Sequence, residues 1–215
     1  MRFDIVTLFP GVFTSFLGES ILKRARAEKK IDFKFHDFRR FTEDKHKTVD
    51  DRPYGGGAGM VLKVEPLAKC LNKIRKKRKS RILLLTPRGR EFSQKTAKNL
   101  SSLDQLILVC GRYEGFDERI RKFVDLEISV GPYITMGGEV PAMIIIETVS
   151  RLIPGVLGKK ESIQEESFSL HPNYLEYPQY TRPPVYKNLK VPGILLSGDH
   201  EKIKAWRQKN SKTKK

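Results

Sequence analysis

The residues that could do chemistry gather in two stretches, each of which ends an apolar run at glycine. The first is Ile107-Leu-Val-Cys-Gly-Arg-Tyr-Glu-Gly115, and the second is Ser129-Val-Gly-Pro-Tyr-Ile-Thr-Met-Gly-Gly-Glu-Val-Pro141. Gly111, Gly115, Gly131, Gly137 and Gly138 let the backbone bend where a Cβ would clash, or approach a ligand closely. One such glycine is ordinary turn chemistry. Two glycine-ended segments with Tyr113, Glu114 and Tyr133 beside the bends point instead to a ligand pocket. It is not a dinucleotide or P-loop site, because Gly-x-Gly-x-x-Gly opening a helix and Gly-Lys-Ser/Thr are both absent.

Three further groups have a possible role. Asp50, Asp51 and Arg52 precede a glycine run, Gly55-Gly-Gly-Ala-Gly59, which could cradle phosphate or simply give flexibility. Lys73-Ile-Arg-Lys-Lys-Arg-Lys79 is a dense cationic cluster. It suits either the dipole at a helix C-terminus or contact with phosphates. Tyr174, Tyr177, Tyr180 and Tyr186 alternate with Arg182 and lysines among prolines, and aromatic faces among basic groups are what unstacked bases and phosphates bind.

The elements that must position these groups alternate between strand and helix. Strands are expected over Phe3–Phe9, Ile31–Phe38, Arg81–Thr86 and Leu106–Cys110. Helices are expected over Val12–Arg26, Val64–Arg78, Phe92–Leu100 and Ala142–Ile153. Ile120–Ile128 has mixed character, His46–Met60 reads as a long loop, and a short helix is expected within Asp199–Lys209. The strands around the centre are continuous apolar runs, the pattern of a parallel sheet covered on both faces. In such sheets ligands collect beyond the carboxyl ends of the strands, where both glycine-ended stretches and Thr86-Pro-Arg-Gly89 lie.

Lys and Arg number 42 against 25 Asp and Glu, giving a net charge of +17 over 215 residues. That surplus favours a polyanion, nucleic acid above all, as partner. No run approaches the roughly 18 apolar residues of a membrane span, so no membrane association is expected. Asp4 falls where a signal peptide would be apolar, and Cys70 and Cys110 match no metal spacing. A cytoplasmic protein with reduced thiols and no metal centre is the expectation.

Longer strings carry a resemblance to a known family. Thr7-Leu-Phe-Pro10, Val49-Asp-Asp-Arg-Pro-Tyr-Gly-Gly-Gly-Ala-Gly-Met60, Cys110-Gly-Arg-Tyr-Glu-Gly115, Gly137-Gly-Glu139 with Pro141, Arg151-Leu-Ile-Pro-Gly-Val-Leu-Gly158, Tyr180-Thr-Arg-Pro183 and Ser197-Gly-Asp-His200 span nearly the whole chain. Together they resemble the TrmD family of bacterial tRNA (guanine-N1)-methyltransferases, within the SPOUT superfamily. The resemblance implies an α/β fold with a deep trefoil knot, a small mostly helical C-terminal domain, and a homodimer whose active sites are shared between subunits. It implies S-adenosyl-L-methionine as cofactor, held by Leu85, Thr86, Pro87, Gly111, Tyr113, Glu114, Ser129, Val130, Gly131, Tyr133, Thr135, Gly137, Gly138 and Pro141.

The implied substrate is guanine N1 at position 37 of tRNA, next to the anticodon. The residues implied to bind the tRNA are Asp50, Arg52, Gly57, Gly59, Tyr180, Arg182, Ser197 and His200. Guanine N1 is protonated at neutral pH, so a general base must remove that proton while a cation stabilises charge at O6. The family's arginine and aspartate map to Arg151 and Glu166. Glu166 is one methylene longer than the usual aspartate, and Glu165 stands beside it. The implied division is a catalytic domain over 1–158, a flexible linker over 159–170 and a tRNA-binding domain over 171–215. Two other readings are a SPOUT enzyme acting on ribosomal RNA, which would not be expected to carry the C-terminal strings, and a basic RNA-binding protein without activity, which leaves the glycine-ended strands and Arg151 unexplained.

Overall fold

Strands with no polar face to give to water must be covered on both sides, and those of this chain are. The computed structural model describes residues 1–74, 76–158 and 165–213. The chain divides into two compact units, Met1–Gly158 and Lys159–Lys215.

In the first unit β1 (Arg2–Val6) leads through a 3-10 turn (Pro10–Phe13) into α1 (Thr14–Leu17), α2 (Ser20–Ala27) and β2 (Asp32–His36). A short ladder of β3 (Asp50–Asp51) and β4 (Val61–Leu62) precedes α3 (Val64–Lys73). Then come β5 (Ser80–Glu91), α4 (Gln94–Ser101), β6 (Gln105–Cys110), a 3-10 helix (Glu118–Phe123), β7 (Leu126–Ser129) and α5 (Glu139–Ser150). The main sheet has the order β2-β1-β6-β5-β7, and every pairing in it is parallel. All its carboxyl ends therefore lie along one edge.

Side chains alternate across this sheet, as the two-residue strand period requires. Phe3, Ile5, Leu83, Leu85, Leu106 and Leu108 pack with α1, α2, α4 and α5 on one face. Val6, Ile82, Leu84, Ile107 and Val109 pack with Leu67, Cys70 and Leu71 of α3, and with Phe38 and Ile120, on the other. The second face also holds a buried polar cluster. The Asp4 carboxylate is fully buried and accepts from Gln105 Nε2 (2.7 Å) and Arg2 Nε (2.7 Å), with His36 Nε2 at 2.7 Å.

Several expected elements are re-drawn. The helix expected over Val12–Arg26 is broken at Gly18, where a Cβ would stand 2.9 Å from the Thr14 carbonyl oxygen. The helix expected to reach Arg78 stops at Lys73, because Ile74 turns extended (φ −71°, ψ 116°) and buries itself in the α3 side of the core. The helix-dipole explanation of the basic cluster therefore holds for Lys73 and not for Lys76–Lys79. The strand expected to end at Thr86 continues to Glu91, with its register shifted between Leu85 and Arg90. The helix expected from Ala142 starts at Glu139, since Pro141 in a first turn forfeits no intrahelical hydrogen bond.

The second unit holds α6 (Gly193–Leu196) and α7 (His200–Asn210). Two short ladders, β8 (Tyr174–Leu175) with β11 (Lys212–Thr213) and β9 (Val185–Tyr186) with β10 (Leu189–Lys190), accompany the helices. Strands of two residues have no legible period. Of the expected flexible linker, residues 159–164 lie outside the described residues. Its remainder is tied into this unit: Phe168 N donates to Tyr174 O (2.7 Å), and Glu176 N donates to Ser167 Oγ (3.1 Å).

Candidate active site

Beyond the carboxyl ends of β5, β6 and β7 lies a cavity of about 440 Å³. Three segments wall it: Leu84–Arg88, the stretch Gly111–Glu118 with Ile120 and Arg121, and the run Glu127–Gly138, all but Pro132, with Pro141. All fourteen residues expected to hold the cofactor line it. Segments far apart in sequence thus share one space because their strands are neighbours in the sheet. Arg88, Arg112, Glu118, Arg121 and Glu127 line it as well. Sequence reading passed over these, although Arg112 stands inside the Cys-Gly-Arg-Tyr-Glu-Gly string.

The bulge in β5 presents Thr86, Pro87 and Arg88 to the cavity before the strand rejoins β7. Gly89 permits that return: a Cβ there would stand 2.5 Å from Glu127 C and 2.6 Å from Ile128 C. Tyr113 sits in the left-handed region (φ 58°), an uncommon place for a side chain of that size and one that clusters at functional sites. The wall after β7 is pinned by its own hydrogen bonds. Ser129 Oγ donates to Gly131 O (3.0 Å), Tyr133 Oη to Val130 O (3.1 Å) and Thr135 Oγ1 to Gly137 O (2.9 Å).

Gly138 behaves differently from the expectation. Its φ of −79° is open to any residue, so backbone freedom is not the reason for glycine. Its absent Cβ would stand 2.6 Å from Cys110 Cα and 2.8 Å from Gly111 N. Gly138 N donates to Gly111 O at 2.8 Å. This glycine lets one wall close onto the end of β6, and a larger residue there strikes the fold as well as any ligand.

At that junction the string Thr7–Pro10 meets Arg112 and Glu139. Thr7 Oγ1 donates to Glu139 Oε1 (2.8 Å), and Arg112 Nε stands 3.0 Å from Glu139 Oε2. Neither Arg112 Nε nor Glu139 Oε2 has an aligned hydrogen-bond partner, so this approach is a charge contact rather than a directed bond. The Arg112 guanidinium also lies 4.4 Å from the centre of the Phe9 ring. A Cβ on Gly137 would fall 2.6 Å from Arg112 Nε. Burial raises the Cys110 thiol well above its ordinary range, as it does Cys70, pushed up to about 12, so neither sulfur is a nucleophile here.

Of the residues expected to bind substrate, Asp50 lies in β3 opposite Leu62, and Arg52, Gly57 and Gly59 belong to the connection that follows. Its base is bonded to the cavity wall, with Glu114 N donating to Met60 O (3.0 Å) and Leu62 N to Gly115 O (2.9 Å). Gly59 (φ 83°) has no room for a Cβ, which would stand 2.5 Å from Glu114 Cγ. Arg151 caps the end of α5 and does not line the cavity. Glu166, Tyr180, Arg182, Ser197 and His200 belong to the second unit. There Tyr180 and Tyr177 set their rings edge-on to Trp206 at 6.3 and 6.4 Å, and Arg207 lies over Tyr177 at 4.9 Å. Ser197 and Asp199 build the start of α7, where Asp199 accepts from Lys202 N and His200 is the first helical residue.

Comparison with known proteins places this arrangement. The profile described as tRNA (Guanine-1)-methyltransferase TrmD matches residues 1–215. A tRNA (guanine-N(1)-)-methyltransferase of Dictyoglomus turgidum is 52% identical over 211 residues, covering 98% of this chain and 85% of that protein. Its counterpart in Geobacillus kaustophilus is 52% identical over 213 residues, with 98% and 86% covered. The Chloroflexus aggregans protein is 53% identical over 212 residues, with 97% and 82% covered. The chain belongs to the tRNA (guanine-1)-methyltransferase TrmD family.

Proposed function

We propose that the protein methylates guanine N1 at position 37 of tRNA, beside the anticodon, with S-adenosyl-L-methionine as methyl donor. The observation that carries this is the convergence on one cavity of the fourteen residues that the resemblance implies hold the cofactor, in a chain of this family. The cavity suits the cofactor. Its volume lies in the range of small-molecule sites, and Leu85, Ile128 and Val130, on one face of the sheet, offer an apolar slot for an adenine. Glu114, Glu127 and Arg112 offer charges for an amino acid moiety. When bound, the cofactor supplies a methyl group on a cationic sulfur.

The chain's own residues supply the rest. Glu166 takes the N1 proton of guanine as general base, with Glu165 as the neighbouring carboxylate, and frees the lone pair that attacks. Arg151 stabilises the negative charge that develops at O6. Asp50, Arg52, Gly57, Gly59, Tyr180, Arg182, Ser197 and His200 hold the anticodon stem-loop, with rings and guanidinium groups suited to unstacked bases. Glycines that admit a neighbour closely, the Glu114 side chain at Gly59 and the backbone of Cys110 and Gly111 at Gly138, favour a tight pocket over a flexible linker.

The same reading includes a trefoil knot, a homodimer with shared sites and work in the cytoplasm. In support of the knot, β7 pairs with β5 at the sheet edge, whereas Gly138 bonds to the end of β6. Residues 130–137 must therefore cross the end of β5. In support of the homodimer, α5 is apolar nearly all round and exposes Val140 and Ile144, with Phe9 and Val12 exposed on the neighbouring turn. No helix among the described residues is long and apolar enough to cross a membrane.

The test is methyl transfer from labelled cofactor to a tRNA transcript with guanine at position 37, mapped by reverse transcription, which stops where N1 cannot pair. A stop at position 37 that vanishes when adenine replaces the guanine is expected. Methylation of ribosomal RNA instead, or tight RNA binding without transfer, would replace this reading by one of its competitors.

A further inference from the structure

We propose that the basic edge formed by Lys76, Lys77, Arg78 and Lys79 is a second RNA contact, which takes the phosphate backbone of the substrate tRNA outside the loop being methylated. This rests on the reading of the chain as a tRNA methyltransferase. These four residues are exposed, and among the described residues none of them forms an ion pair with a carboxylate. They lie outside α3, so the helix terminus does not account for them.

Their backbone is held in place. Lys77 N donates to the buried Gln105 Oε1 (2.6 Å), while Lys79 O accepts from Asp104 N (2.9 Å) and Gln105 N (3.2 Å). Gln105 is anchored in turn by its bond to buried Asp4, which His36 and Arg2 also hold. Surface lysines on a loose loop lose entropy when they order on a polyanion, and here the backbone share of that cost is already met. The positive field at this edge reaches the Met1 amino group. Burial first, then the charge of Lys77, lowers its proton affinity, against the opposing pull of Asp104 and Asp32.

Position decides which phosphates can reach it. The cluster meets the sheet at Ser80 and Gln105, where β5 and β6 begin, whereas the cavity opens where β6 ends, at Cys110 and Gly111. Five residue steps of a parallel strand are roughly 17 Å, and the body of the sheet stands between. A nucleotide whose base enters the cavity cannot place its own phosphate here. A full tRNA carries duplex arms beyond the methylated loop, and their phosphates fit an edge of cations carried on a held backbone. Phosphate contact of this kind positions without specifying sequence.

The experiment compares the wild type with the triple variant Lys76→Gln, Lys77→Gln, Lys79→Gln. The hydrogen bonds of this segment use backbone atoms, so the variant keeps them, and its melting temperature should be unchanged. Binding is measured against salt for three probes: a full-length tRNA transcript, the isolated anticodon stem-loop, and vesicles of phosphatidylcholine with phosphatidylserine. For the full-length transcript the slope of log K against log salt should flatten by roughly 2 to 3, about 0.9 for each phosphate that the variant no longer neutralises. Methyl transfer to the stem-loop should be unaffected, and it reports independently on whether the chain is a tRNA methyltransferase at all. Equally weakened binding of both RNAs would put the cluster at the methylated loop and overturn the proposal. An unchanged slope for both would make it a solvated surface, and weakening confined to vesicles would make it a lipid-binding edge; either result overturns it.

Discussion

Replacing Gly138 by alanine tests the closure of the cavity wall most directly. The added Cβ would stand 2.6 Å from Cys110 Cα, 2.8 Å from Gly111 N and 3.1 Å from Cys110 C. Relaxed carbon contacts lie near 3.5–4.0 Å, so a shift on the order of 1 Å is needed. Every obstructing atom is backbone at the end of β6, whose six residues are all buried, and none can swing aside as a side chain would. Overpacking of this kind costs about 1–3 kcal/mol. Loss of the 2.8 Å bond from Gly138 N to Gly111 O adds about 0.5–1.5 kcal/mol. At about 2–4 °C per kcal/mol for a chain of this size, the melting temperature should fall by roughly 5–15 °C, and cofactor affinity should fall with it. Gly11→Ala is the control: a Cβ there meets nothing within 4 Å, so the change should stay within about 0.5 kcal/mol. Calorimetry with and without S-adenosyl-L-methionine reads both quantities. If Gly138→Ala melts with the wild type while losing the cofactor, the glycine serves the ligand alone, and the packing argument is wrong.

Three other perturbations bear on the site and its frame. Glu166→Gln should lower methyl transfer by about two to four orders of magnitude with cofactor binding little changed; normal turnover there and a dead Glu165→Gln would move the base by one residue. Glu139→Gln removes the charge that Arg112 meets at 3.0 Å. If holding the wall is worth about 1–2 kcal/mol, cofactor affinity should weaken roughly 5- to 30-fold, and an unchanged calorimetric Kd would show that the pairing positions nothing. Burial alone would raise the Asp4 carboxyl, but bonds from His36, Gln105 and Arg2 outweigh it and hold it below the ordinary value. Its stabilisation is thus complete above about pH 4, the range of an unfolded aspartate, and is lost as pH falls through the lower folded value. Melting curves below pH 4 should show that loss, and Asp4→Asn, less stable at neutral pH, should show a shallower acid dependence.

Sequence alone carried the family through its strings, and carried the parallel sheet through Leu106–Cys110 and Ile82–Leu85, because strands buried on both faces must be apolar throughout. It carried the stretches that wall the cavity because strand ends next to glycine are local features, legible without knowing which strands are neighbours, whereas the set of cofactor residues came through the resemblance. Tertiary structure decided what those glycines are for. The need for glycine at 138 arises from the backbone of residues 110 and 111, and at 89 from residues 127 and 128, approaches between segments that no local pattern records. The end of α3 was decided likewise, since Ile74 left a helix-compatible sequence to fill the core beneath β5. The pairing of Thr7 with Glu139 spans 132 positions and exists because β1 lies beside β6 in the sheet. Propensity and periodicity act over a few residues, whereas close backbone approach and buried charge pairing depend on which strands the sheet order makes neighbours, and that order is a property of the whole unit.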